Sequence, residues 1–142
     1  MLFRSAGAVE DALSAARQDV KTALIFQHEV LSIDLPEQVP PSPPFVEGDP
    51  VHPVEVHVLR LGDVSIATNP FELYLDYGVR IKARSKAVLT LLVQLAGQDC
   101  GYLPTARAVK GGGYSAENFV VGAEGGQVLV DQTVRRINAM FP

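Results

Sequence analysis

The chain has 142 residues, 47% of them hydrophobic, which is enough to bury the core of one ordinary domain. A formal net charge of −4 and a pI near 5.3, with basic residues scattered except for Arg135-Arg136, exclude the basic stripe of a nucleic-acid platform. A single cysteine, Cys100, excludes an internal disulfide and a cysteine zinc cluster, and points weakly to a reducing compartment.

From Ala8 to Leu24 apolar residues recur at helical spacing (Val9, Leu13, Ala16, Val20, Leu24), with Glu10, Asp11, Arg17 and Lys21 opposite. This predicts an amphipathic surface helix. Glu10 and Asp11 come too early for the apolar region of a signal peptide, so a soluble, cytoplasmic chain is expected. No apolar run reaches about 18 residues, which excludes a transmembrane helix. Leu31, Ile33 and Leu35 alternate with Ser32 and Asp34, the pattern of a half-buried strand. Seven of the ten prolines then fall between Pro36 and Pro53. Proline lacks the backbone donor, so 36–53 reads as an extended connector within a single domain spanning 1–142.

"VEVHVLRLGDVSIATNP" predicts two strands joined by a tight turn at Leu61-Gly62-Asp63. Val54, Val56 and Val58 share one face, Glu55 and His57 the other. In "NPFELYLDYGVRIKARS", Asn69 suits a helix cap and Pro70 the first helical position, with Phe71, Tyr74, Leu75 and Val79 at helical spacing. The apolar run "KAVLTLLVQLAG" reads as a buried strand. Strand, helix and strand without a hairpin turn predict a βαβ crossover with parallel strands. A last helix follows in "GGQVLVDQTVRRINAMF", where Val128, Leu129, Val134, Ile137 and Met140 can face the core. The expected fold is α/β or α+β: a small mixed sheet with a βαβ unit and about three packing helices.

Chemistry-bearing residues are few. His28, His52 and His57 form no HxH or HExxH pattern, and Cys100 reads as a small buried hydrophobe. Glu72 has two readings. It can close a capping box with Asn69, or it can offer a carboxylate at a strand-to-helix turn, the edge where open α/β sheets bind ligands. "KGGGY" lacks a phosphate-loop pattern, since Lys110 precedes the glycines. Those glycines suit a sharp turn. Tyr102 and Tyr114 bracket this loop, and half-buried rings with bonded hydroxyls are their plainest reading.

Three ordered segments, "LRLGDVSIATNPFELYLDYGVRIKARS", "GYLPTARAVKGGGYSAE" and "VGAEGGQVLVDQTVRRINAMF", resemble the C-terminal part of the catalytic domain of neutral/alkaline ceramidases. They look most like bacterial ceramidase-like proteins. The resemblance runs from about Val54 to Phe141 and implies lipid amide hydrolysis: cleavage of N-acyl sphingoid bases, or of another amide, with one zinc ion. In that family two histidines, a glutamate and a tyrosine hold the metal. The resemblance places the glutamate at Glu72, in "NPFEL", and the tyrosine at Tyr102, in "GYLPT". A second tyrosine follows twelve residues on, here Tyr114, and would donate a hydrogen bond to the oxyanion of the tetrahedral intermediate.

The family's HxH-type segments have no counterpart here. Two oxygen ligands make half of a zinc site, since such sites take three or four protein ligands. The chain is therefore expected to be inactive alone: a piece of a longer protein, a non-catalytic relative, or a chain completed by a second one. The alternative is a non-catalytic interaction module that self-associates through exposed apolar surface.

Overall fold

The computed structural model describes residues 25–36 and 53–142, together with positions 7, 10, 12 and 13. The helix expected over 8–24 and the proline-rich connector lie largely outside these residues. Positions 10, 12 and 13 are helical.

Four strands form a mixed sheet: β1 (Phe26–Ile33), β2 (Val54–Leu61), β3 (Val64–Thr68) and β5 (Leu89–Val93), side by side in that order. β1, β2 and β3 are antiparallel neighbours, and β3 pairs with β5 in parallel. The β2–β3 turn is the expected one. Leu61 pairs with Val64, and Gly62 supplies the positive φ of 58° that so short a connection needs. A second sheet of two short strands, β4 (Glu72–Leu73) and β6 (Tyr102–Leu103), is also parallel. Four helices complete the described α/β fold: α1 (Leu75–Arg84), α2 (Ala106–Gly111), α3 (Tyr114–Glu117) and α4 (Ala123–Met140). The β3–α1–β5 connection is the expected βαβ unit. Among the described residues no helix is long and apolar enough to cross a membrane.

Alternation in β2 decides which face is inside. Val54, Val56 and Val58 are fully buried, while Glu55 and His57 turn away. Each such valine contributes about 1.5–3 kcal/mol. α4 lies over this face with Leu129, Val130, Val134, Ile137 and Met140 buried, and Val128 packs at the margin. Buried Arg60 ties β2 to the end of α4. Its guanidinium donates to the Met140 carbonyl and sits 4.3 Å over the Phe141 ring, a cation at the negative end of a helix.

Two expectations are corrected. The helix begins at Leu75, not Pro70, because the donors of residues 69–73 are engaged elsewhere. Asn69 N–H donates to Val93 O, Phe71 N–H to the Asn69 side chain, Glu72 N–H to Gly101 O, and Leu73 N–H to the Gln94 side chain. Its buried face is Tyr77 and Ile81, with Leu75 and Val79 exposed. β5, read as buried, is covered on one side only among the described residues: Thr90 is buried and Leu92 partly so, but Leu89, Leu91 and Val93 are exposed.

Gly125 and Gly126 let helix α4 come close to Val121 and to Tyr77 of α1. A Cβ on Gly126 would overlap the ring of Tyr77, which is buried and donates its hydroxyl to Pro104 O at 2.9 Å. Gly126→Ala should therefore destabilise the fold by about 1–3 kcal/mol despite alanine's better helix propensity. A urea midpoint that stays level or rises would contradict this packing.

Candidate active site

The first site residue is placed by the small second sheet. Glu72 is the Cα partner of Tyr102 across the β4–β6 pair, and its N–H donates to Gly101 O at 2.9 Å. Gly101 has a φ of 63°, and its N–H donates to the Asp99 side chain. A side chain there would be strained, so glycine before Tyr102 is a geometric requirement. The capping-box reading of Glu72 falls away, since Glu72 is in a strand and Asn69 N–H is held by Val93 O.

The loop after Tyr102 returns the chain to the same place. Thr105 caps α2 by accepting from Ala108 N–H at 3.2 Å. Gly112 (φ 73°) and Gly113 (φ 113°) then reverse the direction, and α3 opens with Tyr114. Glu117 accepts from Gly113 N–H at 3.0 Å and Asn118 donates to Tyr114 O at 2.7 Å, which steadies this short helix. The result is an edge-to-face contact of Tyr102 and Tyr114, with ring centroids 5.9 Å apart and planes at 81°. The glycines thus make the sharp turn expected of them, and no phosphate cradle is needed to explain them.

Two further residues join the cluster that the sequence did not single out. Tyr74 and Ser115 share a hydrogen bond at 2.8 Å between their hydroxyls, linking the chain after β4 to α3. Tyr74 lies two residues beyond Glu72, the spacing that returns to one side of an extended chain. That signal was masked by reading the segment as helix.

The Tyr102 hydroxyl is harder to ionise than an ordinary phenol. Burial pushes its pKa above the usual tyrosine value, and the charge of the neighbouring Glu72 carboxylate adds to the rise. Tyr114 is 71% exposed and open to an incoming ligand. Cys100, next to the cluster in sequence, is buried, and its thiol is pushed up to about 11, by burial first and Asp99 second. It is held as an unreactive thiol, as expected of a small buried hydrophobe.

The two described histidines, His28 and His57, do not reach this corner. His28 and His57 bond to each other at 2.9 Å, and His57 also meets Glu55 at 2.8 Å, on the outer face of the main sheet. His52 lies outside the described residues. Among the described residues no group of three or more His, Cys, Asp or Glu is placed to hold a metal ion. Glu72 and Tyr102 alone offer two adjacent oxygen donors, short of the three or four that zinc takes.

Part of this α/β arrangement has counterparts among solved structures. The chain is similar in fold to part of a neutral ceramidase. The neutral ceramidase from Pseudomonas aeruginosa superposes with a TM-score of 0.50 at 20% identity. A ceramidase complexed with C2 does so with a TM-score of 0.51 at 19% identity. Each match covers 60% of this chain and 15% of the ceramidase chain. The likeness at this identity is one of fold. No family model and no curated protein matches the sequence.

Glu72→Gln should lower the alkaline titration midpoint of Tyr102, because it removes the charge that disfavours the phenolate. A raised folded-state pKa means the stability it reports is present below the ordinary tyrosine value and lost as pH rises through the folded one. The midpoint is read by ultraviolet difference spectroscopy with the other tyrosines changed to phenylalanine. A midpoint unmoved by Glu72→Gln would separate the two side chains.

Proposed function

We propose that this chain is the carboxylate-and-tyrosine part of a zinc-dependent amidohydrolase of the ceramidase type, incomplete in the ligands it supplies. The observation that carries this reading is the convergence of Glu72, Tyr102 and Tyr114 at one corner of a ceramidase-like fold. Its substrate in a complete protein would be an N-acyl sphingoid base or a similar amide, in keeping with a fold neighbour described as a ceramidase complexed with C2.

Glu72 and Tyr102 would hold the zinc ion from neighbouring strands, with nitrogen ligands supplied from outside the described residues. A zinc ion bound there would supply Lewis acidity toward the amide carbonyl and its attacking water. Tyr102 must give up its phenolic proton for its oxygen to serve, so metal binding should tighten as pH rises. Tyr114, exposed and braced by α3, would donate to the carbonyl oxygen as it gains charge. Tyr74 and Ser115 would fix α3 against β4 and so set the position of Tyr114. Alone, the chain would not turn over amides.

Calorimetric titration of the chain with zinc tests this reading. One weak site, on the order of millimolar, is expected. Binding should bring up the ultraviolet band of ionised tyrosine, and Glu72→Ala and Tyr102→Phe should each abolish it. Micromolar binding that survives both substitutions, or no binding at any accessible concentration, would overturn it. Zinc-dependent amide hydrolysis by the chain alone would overturn the claim of incompleteness.

A further inference from the structure

Strand β2 turns Glu55 and His57 to the outer face of the main sheet, and β1 brings His28 to meet them. The register pairs His28 with Leu59 and Val30 with His57, so the two histidines are diagonal neighbours on adjacent strands, within reach of long side chains. His28 Nε2 lies 2.9 Å from His57 Nδ1, and the ring planes differ by 10°. Ring faces pack no closer than about 3.5 Å, so these imidazoles meet edge to edge, nitrogen toward nitrogen. The far nitrogen of His57, Nε2, donates to the Glu55 carboxylate at 2.8 Å. That bond fixes the tautomer. His57 Nδ1 carries the lone pair, and His28 Nε2–H donates to it.

We propose that this histidine pair binds a tetragonal divalent transition-metal ion, Cu(II) ahead of Ni(II). Imidazole is a ligand such ions favour, and copper stands at the top of their affinity order. Metal–imidazole bonds of about 2.0–2.1 Å at right angles set two nitrogens about 2.9 Å apart, the spacing already present here. Tetrahedral zinc spreads its ligands to about 3.3–3.4 Å and fits the pair less well. A carboxylate on the outer nitrogen is the usual partner of a metal-bound histidine, holding the ring and raising its basicity. Glu55 stands behind His57 in that role, as a partner of the ligand and not as a ligand itself. The His57 side chain is 34% exposed and His28 is open as well, so water can complete the coordination of an ion held by two protein nitrogens. Binding replaces the shared proton. The His28 proton passes from Nε2 to Nδ1 through solvent, both rings stay neutral, and both lone pairs face the ion. The Glu55 carboxylate offsets part of the ion's charge. This site does not depend on the hydrolase reading.

Titration of the full chain with Cu(II), followed by electron paramagnetic resonance, tests it. One ion per chain should bind at about micromolar strength, with superhyperfine splitting from two imidazole nitrogens. His28→Ala and His57→Ala should each weaken binding about tenfold or more and remove the two-nitrogen pattern, while His52→Ala should leave both unchanged. Neither His28 nor His57 is buried, so circular dichroism should show both variants folded. Glu55→Gln should keep the two-nitrogen pattern and weaken binding about 10–100-fold, the cost of losing the group that orients a ligand. His28→Ala should not change the weak zinc binding expected at Glu72 and Tyr102, so this proposal and the hydrolase reading fail separately. A wild-type spectrum showing one coordinated nitrogen or none would overturn the proposal. Two-nitrogen binding that survives both His28→Ala and His57→Ala, or that is lost in His52→Ala, would overturn it as well.

Discussion

Asn69, Glu72 and Leu73 hand their backbone donors to the chain around and beyond β5, and the rest of the candidate site depends on that exchange. Asn69 N–H bonds to Val93 O and Glu72 N–H to Gly101 O, while Cys100 N–H returns a bond to Pro70 O. These bonds keep the segment extended, delay α1 to Leu75, and set Glu72 opposite Tyr102. Had the helix begun at Pro70, Glu72 would lie on its first turn with no strand partner. A two-residue sheet is too short to stand by itself. It persists because Phe71 and Leu103 on either side are fully buried in the core.

Much of the fold was legible because its signals are local. β2 alternates valine with polar residues, Gly62 marks its turn, and the two strands fall where that pattern puts them. The parallel pairing of β3 with β5 follows from a helix lying between two strands. What escaped was decided by distant partners. Asn69 and Pro70 look like a helix start, but local capping lost to donors claimed by Val93, Gln94 and Gly101. β4 and β6 are two residues each, too few for any periodicity to register. β5 reads as buried because four of its five residues are apolar, but Leu89, Leu91 and Val93 are exposed.

The candidate site was legible in its parts and less so in its assembly. Glu72, Tyr102 and Tyr114 stood out through a resemblance, and the structure brings these three to one corner. Tyr74 and Ser115 escaped, since a hydroxyl pair 41 residues apart leaves no sequence signal. Among the described residues the cluster offers oxygen donors, and His28 and His57 lie on the outer face of the main sheet.

The central claim is that the glycine reversal returns Tyr114 to Tyr102 beside Glu72. Nuclear Overhauser contacts between the ring protons of Tyr102 and Tyr114, in protein labelled at tyrosine, report on it most directly. Rings in edge-to-face contact should give strong cross-peaks, and Gly113→Val, which forces a bulky β-branched residue to a positive φ, should weaken them. Absence of any contact between the two rings in the folded wild-type chain would contradict the account, leaving Glu72 and Tyr102 as a strand pair without a third partner.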